Sequence, residues 1–325
     1  MDNITHTLTG LAMSRTGLNR FYRHATPLLL LAANAPDVDI VMLTGGGFEY
    51  FRYHRAITHS LVAAPVLALV LALLFCAFER SFRNLAVSFA LALAGVASHL
   101  LLDWTNTYGV RFLLPFNSHW YSLDQTNIFD VWIWGVLIVV SVGPVLGRLV
   151  SSEVGGRSGS GRGLAVFGLV FLIVYNLGRG VIHQRAVTIL ESREYDGSLP
   201  LRTGAFPTAA NPFEWKGVVE TETTVREYRL NLLDRFDPDA ATLFQKPETS
   251  RAVNAAAQTL PFRAFLEFAR YPLWTVVPVP EPENGVRVSV RDLRFGFGAD
   301  AVLDAGNRVR KSEFRYGGGP PNRGN

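Results

Sequence analysis

The stretch "HRAITHSLVAAPVLALVLALLFCAF", residues 54–78, decides the fold. From Leu61 onward it holds 18 residues without a charge. At about 1.5 Å rise per residue, such a helix is roughly 27 Å long, close to the hydrocarbon thickness of a bilayer. The run therefore reads as a membrane span. Immediately before it stand His54 and His59, with Arg55 and Thr58 between them. Two imidazoles at the mouth of a membrane helix point to metal binding or proton transfer there. On an ideal helix they would be about 140° apart, so His54 is expected on the approach and His59 at the first turn.

Working outward, residues 85–102 form a second apolar run whose one ionisable residue is His99. Residues 131–150 form a third, interrupted by Gly143-Pro144, and residues 164–181 a fourth. Four transmembrane helices are predicted. Upstream, residues 4–16 and 27–33 read as short helices joined by "RTGLNRFYRH", a helical hairpin that enters the membrane and turns at its arginines. "SSEVGGRSGSGRG" (residues 151–163) reads as a flexible linker.

Beyond residue 190 the pattern changes. "EWKGVVETETTVREYRLNLL" and "NGVRVSVRDLRFGFG" show β-type alternation, and "RAVNAAAQTLPFRAFLEFARY" reads as a helix interrupted near Pro261. The expected fold is thus a mainly α-helical polytopic membrane domain, an N-terminal hairpin plus four transmembrane helices. A small β-rich α+β soluble domain follows it. Residues 1–185 are assigned to a membrane-embedded metal-site domain, 186–315 to the β-rich domain and 316–325 to a disordered tail.

Of the 325 residues, 49% are hydrophobic and 18% charged, with the apolar runs confined to the first part of the chain. The net charge of +4 comes from scattered arginines. Without a basic block interleaved with aromatics, nucleic acid is disfavoured as a partner; the bilayer and a small-molecule or lipid substrate are the expected ones. Cys76 is the lone cysteine, so no intrachain disulfide forms. The start lacks the basic region of a secretory signal peptide.

Arginines cluster in the hairpin tip (Arg15, Arg20, Arg23), in the next loop on that side (Arg80, Arg83) and around the linker (Arg148, Arg157, Arg162). By the positive-inside rule that side is cytoplasmic. The opposite, extracytoplasmic side then receives the C-terminal domain and nearly every ligand-type residue: His6, Asp37 and Asp39, His54 and His59, His99 and Asp103. Asp124 and Asp130 join them as supporting groups. His24 and His183 are not read as ligands, and His119 sits among interface-type aromatics. His99 and Asp103 are the sharpest pair, since positions i and i+4 share a helix face and an ionisable residue within a span is costly. His nitrogen with Asp oxygen suits zinc, with manganese or iron as alternatives.

The motifs "MDNITHTLTG", "NAPDVD", "HRAITHS" and "SHLLLDWTNTYG" resemble those of the YdjM/YbcI-type membrane-bound metal-dependent hydrolases (LexA-regulated inner-membrane hydrolase-like) over about residues 1–185. "NPFEWKGVVET" resembles the soluble tail of some members. The resemblance implies an inner-membrane, multi-pass hydrolase in which His6, Asp37, Asp39, His59, His99 and Asp103 hold metal. His54 would serve as ligand or proton carrier, and Arg55 would hold an anionic oxygen or anchor the interface. The order of these ligands is also similar to the helical zinc-dependent phospholipase C and nuclease group. That group's later histidine and His-x-x-x-Glu pair have no evident counterpart here, so one or two ions are expected. The expected activity is attack of metal-activated water on a phosphoester or ester, lipids included. The competing expectation is a non-enzymatic membrane protein with a structural metal site and a partner-binding soluble domain.

Overall fold

The computed structural model describes residues 1–154, 161–248 and 250–316, with residues 151–154 described in backbone only. The chain divides into two compact units. The first comprises Met1–Met42, Tyr53–Gln184 and Phe206–Glu214; the second comprises Leu43–Arg52, Arg185–Ala205 and the chain from Trp215 onward.

The first unit is helical. Helix α1 (Asn3–Arg15) is capped by Asp2, whose carboxylate accepts from the Ile4 and Thr5 amides. Helix α2 (Ala25–Ala32) leads into a 3-10 segment, Ala35–Gly45. Helix α3 (Gly47–Tyr53) lies mostly in the second unit. A 3-10 turn, Ile57–His59, then precedes α4 (Ala63–Glu79), α5 (Leu85–Thr105), α6 (Val131–Val154) and α7 (Arg162–Glu191). Among the described residues three helices, α5, α6 and α7, are each long and apolar enough to cross a membrane. The number rises to five if each of two bent pairs, Ala25–Ala32 with Ala35–Gly45 and Gly47–His59 with Ala63–Glu79, is one span. The four predicted spans fall within that range, with α4 counting through its bent partner.

Small residues set the packing. Ala64, Ala68, Ala72 and Cys76, one turn apart, form the buried stripe of α4. They let it lie close to α5, as small faces do in membrane bundles. A Cβ at Gly95 would come 2.7 Å from Ala32 Cβ, and one at Gly10 the same distance from the Leu29 carbonyl oxygen. These glycines sit one turn from His99 and His6, so the close backbone approach carries both imidazoles inward. Leu74, Phe78, Leu146, Phe167 and Ile173 remain exposed on the outer faces, as lipid-facing residues do. Pro144 has no N–H to offer the Val140 carbonyl. Arg15 reaches across from α1 to donate to the Val140 and Ser141 carbonyls, the latter at 2.6 Å.

The second unit holds two four-stranded antiparallel sheets, each a meander. The first contains β1 (Arg202–Pro207), β2 (Glu214–Glu220), β3 (Thr224–Asn231) and β4 (Thr242–Gln245). The second contains β5 (Pro272–Val279), β6 (Gly285–Asp292), β7 (Gly298–Leu303) and β8 (Val309–Arg315). Alternation in β6 places Val288, Val290 and Asp292 inside. Two helices, α8 (Arg251–Ala257) and α9 (Leu260–Phe268), stand where one interrupted helix is predicted. Pro261 lies in the first turn of α9, where a missing N–H costs nothing. The predicted linker is shorter than expected, since α6 runs to Val154 and α7 begins at Arg162; residues 155–160 lie outside the described residues. The predicted disordered tail, residues 316–325, lies outside them apart from Tyr316.

Candidate metal centre

Four separate elements deliver the polar residues. His6 comes from α1, Asp37 and Asp39 from the 3-10 segment after α2, His54 and His59 from the approach to α4, and His99 and Asp103 from α5. His6, His59, His99 and Asp103 are fully buried, and Asp37 and Asp39 nearly so. His54 is the most open of the set, its side chain 15% exposed.

The protonation pattern follows from the partners. His99 Nδ1 lies 2.7 Å from the Ala33 carbonyl oxygen. A carbonyl only accepts, so Nδ1 carries the hydrogen and Nε2 presents its lone pair inward. Thr58 Oγ1 donates to Asp39 Oδ2 at 3.3 Å and so accepts from His59 Nδ1 at 3.1 Å, which leaves the Nε2 lone pair facing inward. The two Nε2 atoms are 3.1 Å apart. Asp37 Oδ1 lies 3.4 Å from His59 Nε2 and 3.7 Å from His99 Nε2. Asp103 Oδ2 lies 3.5 and 3.4 Å from the same two atoms.

Four acceptor atoms therefore converge with no hydrogen among them, an arrangement that repels itself unless a cation sits between. Tetrahedral ligation at about 2.05 Å requires ligand atoms about 3.3 Å apart. The five separations above, 3.1 to 3.7 Å, bracket that value. Asp103 Oδ2 and both ring nitrogens of His6 are buried without a hydrogen-bond partner. The residues fit a divalent metal by donor type, by spacing and by these orphaned atoms.

Among the described residues, three groups could hold an ion: His6, His99 and Asp103; Asp37, His59 and His99; and Asp37, Asp39 and His54. The first two groups share His99, and the second and third share Asp37. His6 stacks on His99 with ring centroids 3.7 Å apart and approaches Asp103 Oδ1 at 3.4 Å.

A surrounding shell orients these groups. Arg55, at φ +54°, is buried; its guanidinium donates to Asp103 at 2.9 Å, to Asn106 Oδ1 at 3.1 Å and to the Gly109 and Met1 carbonyls. Its backbone N–H donates to Asp39 Oδ2 at 2.8 Å. The Met1 amine also donates to Asp103. Asn106, Thr58 and the Ala33 carbonyl were not singled out from sequence. Asn106, three residues after Asp103, was legible as a polar residue inside the same motif; the Ala33 carbonyl carries no side-chain signal. Asp130 caps α6, accepting from the Trp132 and Ile133 amides and from Tyr175. Asp124 accepts from Ser122. His24 lies 3.3 Å from Glu79, and His119 sits edge-on to Tyr121.

Apolar helices enclosing a buried His/Asp cluster define a membrane protein with a candidate metal centre. Comparison with known proteins narrows that class. The chain belongs to the YdjM inner membrane protein family, whose model matches residues 1–186. It is also similar to the uncharacterized protein YfhP of Bacillus subtilis (strain 168), 30% identical over 144 residues. That match covers 41% of this chain and 43% of the relative, so the chain spans less than half of the relative's length. No solved structure matches significantly.

Proposed function

We propose that this protein is a membrane-bound metal-dependent hydrolase acting on a phosphoester or ester, lipids included, at the membrane–water interface. The observation that carries the reading is the convergence of Asp37, His59, His99 and Asp103 with ligand atoms at metal-like spacing and no internal donor. These four residues, with His6 beside them, would hold the first ion; Asp37, Asp39 and His54 would hold a second. A divalent ion there, zinc foremost and manganese or iron by the same donors, supplies a Lewis acid that polarises the scissile group and acidifies water.

The chain's own residues supply the rest. His54 receives its orientation from Asp39, with Nδ1 at 3.1 Å from Oδ1, and its partial exposure suits a proton carrier between site and solvent. Arg55 has its guanidinium engaged by Asp103, Asn106 and two carbonyls, so the role assigned to it is holding Asp103 rather than gripping an anionic oxygen. The distribution of arginines supports an extracytoplasmic site and C-terminal domain.

The test is hydrolysis of a panel of phosphodiesters, esters and phospholipids by purified, zinc- or manganese-loaded protein. His54→Gln is expected to lower kcat by about a hundredfold or more while the ion at Asp37, His59, His99 and Asp103 stays bound. One observation favours the structural reading: His6, His59, His99 and Asp103 are fully buried, and structural sites are closed. No turnover by loaded protein, together with a lower unfolding temperature on chelation, would establish that alternative.

A further inference from the structure

Asp39 and His54 bind each other, yet 15 residues separate them. The middle of that connection, Leu43–Arg52, belongs to the unit built by the C-terminal sheets. Its hold there is specific. Phe51 on α3 is 2% exposed and stacks on Phe314 of β8 with centroids 4.2 Å apart. It meets Phe268 of α9 edge-on at 5.3 Å and lies 6.4 Å from Phe297. Phe48, one turn earlier, lies 5.8 Å from Phe314. At Gly47 an added Cβ would stand 2.9 Å from a Tyr316 ring carbon, so the backbone lies directly against that ring. Phe51 to His54 is a single helical turn, and the next residue, Arg55, has its N–H fixed on Asp39.

From these contacts we infer that Phe51 is a positioning residue for the metal centre. Seated in the aromatic core of the β-rich domain, it fixes the connection between Asp39 and His54, so the folded C-terminal domain sets the affinity of the site for its ion. The physical reason is preorganisation. A free connection would have to be ordered each time the ligands close on an ion, and that entropy weakens binding. Packing of Phe51 removes the cost in advance. The inference rests on the metal-centre reading above.

The experiment is zinc titration against a competing chelator, using the full chain in detergent micelles. Wild type is compared with Phe51→Ala, Phe51→Leu and Val219→Ala. Val219 is buried with Leu190, Tyr195 and Tyr228, a cluster that contains no residue of the strap. Phe51→Ala is expected to weaken zinc binding about ten- to a hundredfold, the range of outer-shell losses at metal sites, with Phe51→Leu in between. Val219→Ala destabilises the same domain but is expected to leave zinc affinity within about twofold of wild type. Zinc affinity unchanged in both Phe51 variants, or weakened equally by Val219→Ala, overturns the inference. If Phe51→Ala fails to fold, Phe51→Leu alone decides, and wild-type affinity there has the same meaning. Wild-type protein that binds no zinc would overturn the metal centre itself, and the inference with it; the other outcomes leave that centre standing.

Discussion

Two aspartates among the described residues, one in each unit, are completely buried, and their partners differ. Asp292 of the β-rich domain has every lone pair occupied. It accepts from the Arg270 and Arg294 amides at 2.9 and 2.8 Å, and the Arg294 guanidinium meets it side-on, with Nη2 at 2.9 Å. Asp103 of the helical unit is satisfied on one oxygen only. Oδ1 accepts from the Met1 amine, Arg55 and Asn106; Oδ2 accepts from nothing and faces two imidazole nitrogens. A carboxylate buried to hold a fold saturates its acceptors. One held from behind and left open in front has an acceptor to offer an ion.

The comparison breaks most readily at the open carboxylate. Asp103→Asn or His99→Ala should remove the ion those residues hold, read as a fall in metal stoichiometry by elemental analysis, a loss above the roughly hundredfold of outer-shell changes. The unfolding transition of the β-rich domain should hold. Metal retained at wild-type stoichiometry in both variants would place Asp103 with Asp292 as a structural group.

The converse substitution comes next in size. Asp292→Ala strands the Arg294 guanidinium, whose side chain is 1% exposed. It should destabilise the β-rich domain by about 3–5 kcal/mol, read by chemical denaturation. Stoichiometry at saturating metal should stay at the wild-type value.

The smallest effect concerns a carboxylate at the surface. Burial opposes ionisation of Glu220, but Lys246 and Arg202 outweigh it and hold its carboxyl below the usual range. A depressed folded value means the contribution is present above about pH 4.3 and is lost as pH falls through the folded value. Glu220→Gln should therefore cost below about 1 kcal/mol at neutral pH, since its partners are solvated, and the difference should vanish on acidification. A difference that grows in acid would show the ion pairs to be unfavourable.

The apolar runs of α5, α6 and α7 were legible because membrane insertion is a property of local composition. The β-type alternation of β6 and the break at Pro261 were legible for the same local reason. At residues 61–78 a run of apolar residues does not reveal the 79° bend between Gly47–His59 and Ala63–Glu79. The assignment of Leu43–Arg52 to the C-terminal unit was also beyond local reading, because Phe51 meets its partners more than 200 residues further along the chain.

For the site, residue types and their helical spacing were enough to nominate His6, Asp37, Asp39, His54, His59, His99 and Asp103, because metal ligands are drawn from few side chains. Sequence alone determined which residues are candidate ligands and which segments are apolar. The tertiary structure decided which nitrogen of His99 faces inward, which oxygen of Asp103 stays open, and that Arg55 is engaged behind the site. Those properties depend on a carbonyl, an amine and a guanidinium brought together from distant parts of the chain, and hydrogen-bond partners have no signature in the spacing of the residues they serve.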